Sequence, residues 1–206
     1  MIHLPLQLYD KEKILEAFLV IFARHGYEKT STGMLAEAAG ISKPLVFHHF
    51  KSKKALYLSV LDYCFETLKA KLSLTELSEC VDFFEAKEKI SLIKLEHFQK
   101  NPHAYKVTME AFTAPPPEVS TEIKEKYGEQ LAARDQFLKQ LFEKVPLRDG
   151  VNREQAFELI MMTMKHFEKK IVSDLNEHVE FDTSYNQRLL EERNRFLDMI
   201  RHGIER

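Results

Sequence analysis

Tryptophan is absent from the chain, and cysteine occurs only twice in 206 residues. Cys64 and Cys80 lack C-x-x-C spacing, so we expect two thiols packed in a core rather than a disulfide or a metal site. No apolar run approaches the roughly 18–20 residues that a membrane-spanning helix needs, and the first residues lack the pattern of a secretory signal. These absences predict a cytoplasmic protein with reduced cysteines.

Glycine is also scarce, because its six residues leave little backbone for a glycine-rich phosphate loop. The sequence contains neither a G-x-S-x-G nucleophile motif nor an H-E-x-x-H zinc motif. The adjacent His48 and His49 point about 100° apart on a helix, and no cysteine or carboxylate cluster completes a metal site. We therefore expect neither an enzyme nor a bound metal or cofactor.

The net charge of −2 conceals an uneven distribution of charges along the chain. Residues 1–60 carry eight basic and five acidic side chains, whereas the remainder carries 22 basic and 27 acidic ones. A basic N-terminal part followed by an acidic remainder is typical of a protein that binds nucleic acid with one part and performs another task with the rest.

Nearly every segment shows the 3.6-residue period of an α-helix, which predicts an all-α fold of about nine helices. Gly26 is expected to end the first helix. Ser42 is expected to cap the third helix, with Pro44 in its first turn, where a missing N–H group costs little. The predicted helices cover residues 11–25, 34–38, 42–50, 53–72, 81–100, 103–113, 118–144, 152–176 and 184–203.

The strongest pattern is the run from Ser31 to Phe50, which we interpret as two short helices joined by a three-residue turn. Ala36 offers a small side chain where the helices come closest, and Gly40 suits the turn because it has no Cβ. A helix of this kind has the diameter to enter the major groove of DNA. The residues predicted to pack inward against Phe18 and Phe22 are Leu35, Ile41, Val46 and Phe50.

A pattern of small, aromatic and basic residues extends over about fifty positions around these helices. It consists of Ile14, Ala17, Phe22, Gly26-Tyr27, Thr30-Ser31, Leu35-Ala36, Ala39 to Lys43, Phe47, Phe50 to Lys53 and Leu56. Together these residues resemble the TetR family of transcription regulators. Pro44 stands where the family usually has glycine, His48 where it often has tyrosine, and Gly33 where a longer side chain is common.

The resemblance implies a three-helix helix-turn-helix DNA-binding domain at residues 1–52, followed by an effector-binding and dimerisation domain at residues 53–206. It implies a dimer that binds a palindromic operator, represses by default and is released by a small effector. The residues implied to contact DNA are Ser31, Thr32, Gly33, Ser42, Lys43, Pro44, Leu45, Phe47, His48 and Lys53. A motif used only for packing is the alternative, but it would not need lysines clustered around one exposed helix.

For the larger domain the resemblance implies a small-molecule pocket and a four-helix dimer bundle built from the last two helices. This domain contains many aromatic and methionine side chains, so an acyl chain or an apolar drug is the expected ligand. The candidate pocket residues are Phe65, His97, Phe98, Tyr105, Met109, Phe112, Phe137, Met161, Lys165 and His166. The candidate dimer residues, which fit a monomer core equally well, are Phe157, Met164, Phe167, Leu189, Phe196 and Ile200.

Two other classes of protein remain as alternatives, namely a helical ligand carrier and an adaptor that binds only protein. Both predict DNA binding that is absent or insensitive to salt. A DNA-binding regulator predicts a steep salt dependence instead.

Overall fold

The structure is a computed structural model that describes residues 11–72, 80, 83–176 and 183–205. Nine α-helices lie in this part of the chain and confirm the predicted all-α class. They are α1 (Lys11–Lys29), α2 (Thr32–Ala38), α3 (Lys43–Phe50), α4 (Lys53–Lys69), α5 (Phe83–Lys100), α6 (Pro102–Thr113), α7 (Ser120–Phe142), α8 (Arg153–Asn176) and α9 (Thr183–Ile204). Within the same ranges, an isolated antiparallel bridge between Leu147 and Glu205 is the sole β-type pairing.

The helix boundaries agree with the sequence prediction to within a few residues, because local signals set most of them. Ser42 caps α3 as expected, since its side-chain oxygen accepts a hydrogen bond from the Leu45 amide at 3.4 Å. Helix α4 ends at Lys69, three residues before the predicted Leu72. The predicted start of α5 at Val81 lies outside the described residues.

Gly26 interrupts α1 where the first helix was predicted to end. Its φ of 71° and ψ of 170° belong to a region that glycine enters readily and other residues avoid. The Thr30 hydroxyl donates to the Gly26 carbonyl at 2.7 Å and holds the bend in place. A Cβ on Gly26 would lie 3.8 Å from Oε1 of Glu110, an ordinary contact, so backbone conformation and not space requires the glycine.

The turn between α2 and α3 is a Schellman motif, which ends a helix by reversing the chain through a left-handed residue. Gly40 supplies that residue with a φ of 64°. The Ile41 amide donates to the Ala36 carbonyl at 3.0 Å, and the Gly40 amide donates to the Glu37 carbonyl at 3.1 Å. The buried Ile41 side chain then anchors the turn, as predicted.

The described chain divides into two compact units, which we call the first and the second unit. The first unit contains residues 11–70 and Asn101–Ile123, so it includes α6 as well as α1 to α4. The second unit contains residues 71–100 and 124–205 of the described chain. The functional boundary expected at residue 53 stays a prediction.

Aromatic side chains fill the core of the first unit. Phe18 meets Phe50 edge to face at 5.6 Å, and Phe22 meets Tyr57 in the same way at 4.9 Å. Leu35 and Val46 are also buried, which confirms the predicted inward face of α2 and α3. Helix α6 packs on α1 and α4 through the buried residues Ala104, Tyr105, Val107 and Ala111.

A separate aromatic core holds the second unit together. Phe83 is fully buried and contacts the rings of Phe142 and Phe157 at 5.3 and 6.1 Å. Arg153 closes the end of α7, because its guanidinium donates to the carbonyls of Phe142 at 2.7 Å and Val145 at 2.9 Å. Such bonds satisfy carbonyl groups that a helix end leaves unpaired.

Both cysteines are buried, as expected for core residues. Burial raises the pKa of the Cys64 thiol to about 12, so this thiol stays protonated at neutral pH. In the part of the chain that the structure describes, no helix is both long enough and apolar enough to cross a membrane.

Candidate nucleic-acid interface

Serine caps the N-termini of the three consecutive helices α2, α3 and α4. Each side-chain oxygen accepts a hydrogen bond from the backbone amide three residues later in the chain. The distances are 3.2 Å for Ser31, 3.4 Å for Ser42 and 3.1 Å for Ser52. Each hydroxyl keeps its own hydrogen, which is available to donate to an anion. All three serines are exposed, so an incoming phosphate can reach them.

The charge at these helix ends also favours an anion. None of α2, α3 and α4 carries an acidic residue in its first turn, whereas four of the other six helices, α1, α5, α7 and α8, carry a glutamate there. The positive end of the helix dipole is therefore not neutralised locally in α2, α3 and α4. Helix N-termini of this kind bind phosphate groups.

Helix α3 divides into a buried and an exposed face, as the sequence predicted. Val46 and Phe50 are buried. On the opposite side, the ring of Phe47 is 43% exposed. Of the other predicted contacts on α3, Lys43, Pro44 and His48 are exposed and Leu45 is half-buried.

The two histidines of α3 have different surroundings. The His48 and His49 rings meet edge to face, with centroids 4.9 Å apart. Burial, and secondly the neighbouring His48, lower the pKa of His49 below the usual value of 6.5. His49 is therefore neutral at pH 7, and only exposed His48 was predicted to face DNA.

Lys53 is the first residue of α4 and lies beside an aromatic cluster. Its ammonium lies 4.3 Å from the centre of the Tyr27 ring, and its Nζ donates to the Glu28 carbonyl at 3.4 Å. Tyr27 in turn packs edge to face on Tyr57 at 5.0 Å. The ring thus positions Lys53 at the α4 N-terminus, a role for Tyr27 that the sequence reasoning missed.

The remaining predicted contacts lie at the start of α2. Ser31 is exposed, and Thr32 and Gly33 are half-buried. Gly33 has helical backbone, and a Cβ there would lie 3.6 Å from the Ser31 oxygen, so a side chain is tolerated sterically. The absence of a side chain thus leaves the backbone of this first turn accessible.

The predicted pocket residues fall in both units. Phe65, Tyr105, Met109 and Phe112 belong to the first unit, where the rings of Phe65 and Phe112 lie 6.1 Å apart. His97, Phe98, Phe137, Met161, Lys165 and His166 belong to the second unit. Lys165 and His166, with Met162 and Lys169, line an open depression of about 250 Å³ on α8, which is smaller than the roughly 300–1,000 Å³ of common ligand sites. Their role in binding an effector stays a prediction.

Most of the predicted dimer residues pack inside their own chain. Phe167 and Leu189 are buried, and Phe157, Met164 and Ile200 pack against the core of the second unit. Phe196 is 44% exposed although its ring also contacts Phe167 at 5.6 Å. Three further exposed apolar side chains on α8 and α9, which the sequence reasoning did not single out, are Leu159, Met162 and Met199.

Comparison with known proteins agrees with this geometry. Residues 14–60 match the family described as bacterial regulatory proteins, tetR family. The HTH-type transcriptional repressor ComR of Escherichia coli (strain K12) is 34% identical over 65 residues, which cover 32% of this chain and 31% of ComR. The chain thus matches only about a third of the length of this curated relative.

Solved structures extend the likeness to nearly the whole chain. Because their sequence identity to this chain is low, the likeness concerns the fold alone. PfmR from Thermus thermophilus, a TetR family regulator, has a TM-score of 0.63 and 21% identity and covers 94% of this chain and 99% of its own. FadR from Bacillus subtilis, solved in complex with stearoyl-CoA, has a TM-score of 0.65 and 16% identity, with coverages of 89% and 97%.

Proposed function

Since residues 14–60 match the family of tetR bacterial regulatory proteins, we propose that this chain is a TetR-type regulator, a cytoplasmic DNA-binding protein that acts as a repressor. In this proposal the chain binds a palindromic operator as a dimer, and a small effector releases it. It has no catalytic role.

The observation that carries the proposal is the surface formed by the N-termini of α2, α3 and α4. It combines three exposed capping serines with an α3 face whose Lys43, Pro44, Phe47 and His48 reach solvent. Serines, lysines and helix ends bind backbone phosphates, while the first turn of α3, with Pro44 and Leu45, lies nearest the base edges in this proposal. A carrier or an adaptor has no need of such a surface.

Replacing Lys53 with alanine is expected to weaken binding to specific and random duplexes alike, because the ammonium contacts a phosphate and not a base. The slope of log K against log salt should become shallower by about 0.9, the contribution of one phosphate contact. Gel-shift titrations at several salt concentrations measure both quantities.

Exposed Lys139, on α7 in the second unit, provides the control, and Lys139→Ala should leave the slope unchanged. If the unaltered protein binds no duplex even at low salt, the carrier or adaptor interpretation replaces this proposal.

The apolar side chains exposed on α8 and α9 support a homodimer. Leu159 and Met162 lie one turn apart on α8, and Phe196 and Met199 lie one turn apart on α9. Four of the six large apolar side chains that are exposed in the described chain thus belong to these two helices. A second copy covers them in a two-fold, self-complementary contact, which matches the symmetry of a palindromic operator.

An effector acts, in this proposal, by moving α4 and with it the spacing of the two recognition helices. These helices must lie about 34 Å apart, or a multiple of it, to read successive major grooves. A displacement of a few ångströms removes phosphate contacts in both half-sites. Coupling of this kind is typically about 1–3 kcal/mol, or 5–150-fold in affinity.

Arg193 supports an effector that combines an apolar body with an anionic group. The residue lies on α9 one turn from the buried Leu189 and Leu197, and its Nε is shielded from water without a hydrogen-bond partner. Among the described residues, its guanidinium donates to the neutral Asn194 side chain at 3.0 Å. Burial lowers the pKa of Arg193 to about 10, and no described carboxylate forms an ion pair with it.

Arg193 is half-buried, and its guanidinium nitrogen Nε is shielded from water without an anionic partner among the described residues. Such partial desolvation of a cation is costly, and an anionic ligand would remove that cost. The proposed class therefore includes acyl chains with a carboxylate or phosphate head. FadR from Bacillus subtilis, which shares the fold, was solved with stearoyl-CoA, a ligand of this class.

Replacing Arg193 with methionine is expected to reduce the potency of stearoyl-CoA in releasing operator DNA by at least about 10-fold. The reason is the loss of a charged hydrogen bond worth about 1.5–3 kcal/mol. The variant should also melt no lower than the unaltered protein, because methionine removes a partly desolvated charge that has no described counter-ion. Titrations with stearoyl-CoA, with 1-decanol as a neutral apolar ligand, measure the potency in gel shifts.

Arg188→Met provides the control, since Arg188 is exposed on the same helix. An unchanged response of Arg193→Met to stearoyl-CoA contradicts the role assigned to Arg193.

A further inference from the structure

Helix α4 begins with two lysines at a position that is electrostatically unfavourable for cations. Lys53 and Lys54 occupy the first turn, where the helix dipole is positive and where α4 has no acidic residue. Each lysine has a compensating partner in the first unit. Lys53 has the Tyr27 ring and a long bond to a carbonyl, whereas Lys54 has the carboxylate of Glu122.

The contact between Lys54 and Glu122 is an ion pair with a hydrogen bond from Nζ to Oε1. Lys54 lowers the pKa of Glu122, chiefly through this hydrogen bond, so the carboxylate is ionised at neutral pH. Both side chains remain about one-third exposed, at 35% and 36%, so the pair is open to competition from other ions.

Glu122 is held in place by its neighbours rather than by Lys54 alone. It lies in the first turn of α7, between Val119 and Ile123, which are both buried. Glu118, one turn earlier, faces the Tyr27 hydroxyl, whose pKa is raised first by burial and then by this carboxylate. The start of α7 therefore presents the carboxylate of Glu122 to Lys54 from a fixed position.

We propose that Glu122 is an internal counter-ion that competes with operator phosphate for Lys54 and thereby limits the DNA affinity of the chain. The inference rests on the DNA-binding function proposed above. A free lysine gains affinity by replacing the condensed cations around a phosphate. Lys54 is already neutralised by Glu122, so it contributes little to that exchange. Among the described residues, Lys53 instead contacts a ring and a backbone carbonyl, neither of which carries a full negative charge.

A purely structural role for the pair makes the opposite prediction. If the ion pair only fixed α4, its loss would misplace Lys53 and Ser52 and weaken DNA binding. If Glu122 competes with phosphate, its loss frees Lys54 and strengthens binding. The salt dependence separates the two roles further, because only the competing role adds a phosphate contact.

The test is a gel-shift titration of Glu122→Gln on operator and random duplex between 50 and 200 mM salt. The slope of log K against log salt is expected to steepen by about 0.9, equivalent to about 3–4-fold more affinity lost across this range. Affinity at the lowest salt should rise. Glu122→Gln combined with Lys54→Gln should return the slope to that of the unaltered protein, and Lys54→Gln alone should leave it nearly unchanged.

Glu96→Gln is the matched control, because Glu96 forms an exposed ion pair with Lys100 at 2.6 Å in the second unit. It removes the same charge from the chain and should not change the slope. A Glu122→Gln variant with weaker binding, or with an unchanged slope, overturns the inference while the unaltered protein still binds DNA. Failure of the unaltered protein to bind DNA overturns the proposed function and the inference with it.

Discussion

A variant with glutamate at both Met162 and Met199 is expected to be a monomer that has lost about 10²–10⁴-fold in operator affinity. The two side chains are 54% and 63% exposed in the single chain, so charges there leave the monomer intact. In a dimer the two carboxylates would be moved out of water, which is costly. A monomer engages one half-site at a time and loses the effective concentration that joins the two halves. Size-exclusion chromatography with light scattering and gel shifts measure both effects.

Leu92→Glu offers a matched control on α5, since Leu92 is 53% exposed and lies outside the last two helices. This change should preserve both the dimer and its operator affinity. A double variant that still elutes as a dimer would place the subunit contact elsewhere on the chain.

Phe22→Ala is expected to lower the free energy of unfolding by about 3–5 kcal/mol, the usual cost of truncating a buried aromatic side chain. Phe22 is 1% exposed and contacts the rings of Tyr57 at 4.9 Å and Tyr27 at 6.3 Å. Since Tyr27 also positions Lys53, DNA binding should fall together with stability. Urea unfolding and gel shifts at low temperature measure the two losses.

Phe47→Ala makes the same chemical change on the exposed face of α3 and separates packing from recognition. Its unfolding free energy should change by no more than about 0.5 kcal/mol, the range for surface positions. Its operator affinity should nevertheless fall, because Phe47 lies among the proposed DNA contacts. Equal destabilisation by both substitutions would contradict the assignment of the two faces of α3.

Local signals in the sequence were sufficient to locate the helices and the turn between α2 and α3. Gly26 and Gly40 adopt the positive φ angles that only glycine accepts readily, and Ser42 caps α3. Each of these features depends on a few neighbouring residues, so its physical cause is contained in a short stretch of sequence. The predicted outward residues of α3 followed from the same short-range periodicity.

The helical periodicity of apolar residues was not sufficient to locate the candidate dimer surface on α8 and α9. On α8 and α9, the apolar stripe that includes Phe167 and Leu189 fitted a dimer face and a monomer core equally well. That stripe is buried within the chain, whereas Met162 and Met199 are exposed. A helical period identifies an apolar stripe but not the partner that covers it, because the covering element is distant in sequence.

The sequence alone determined the class of the fold, the helix-turn-helix and the side of α3 that faces outward, because caps, turns and side-chain period act over a few residues. Only the tertiary structure decided that α6 packs into the core of the first unit and that Tyr27 supports Lys53. It also brought together Lys54 and Glu122, which are 68 positions apart. Such pairs depend on the docking of whole helices, which is governed by the sum of many weak contacts and leaves no short-range pattern in the sequence.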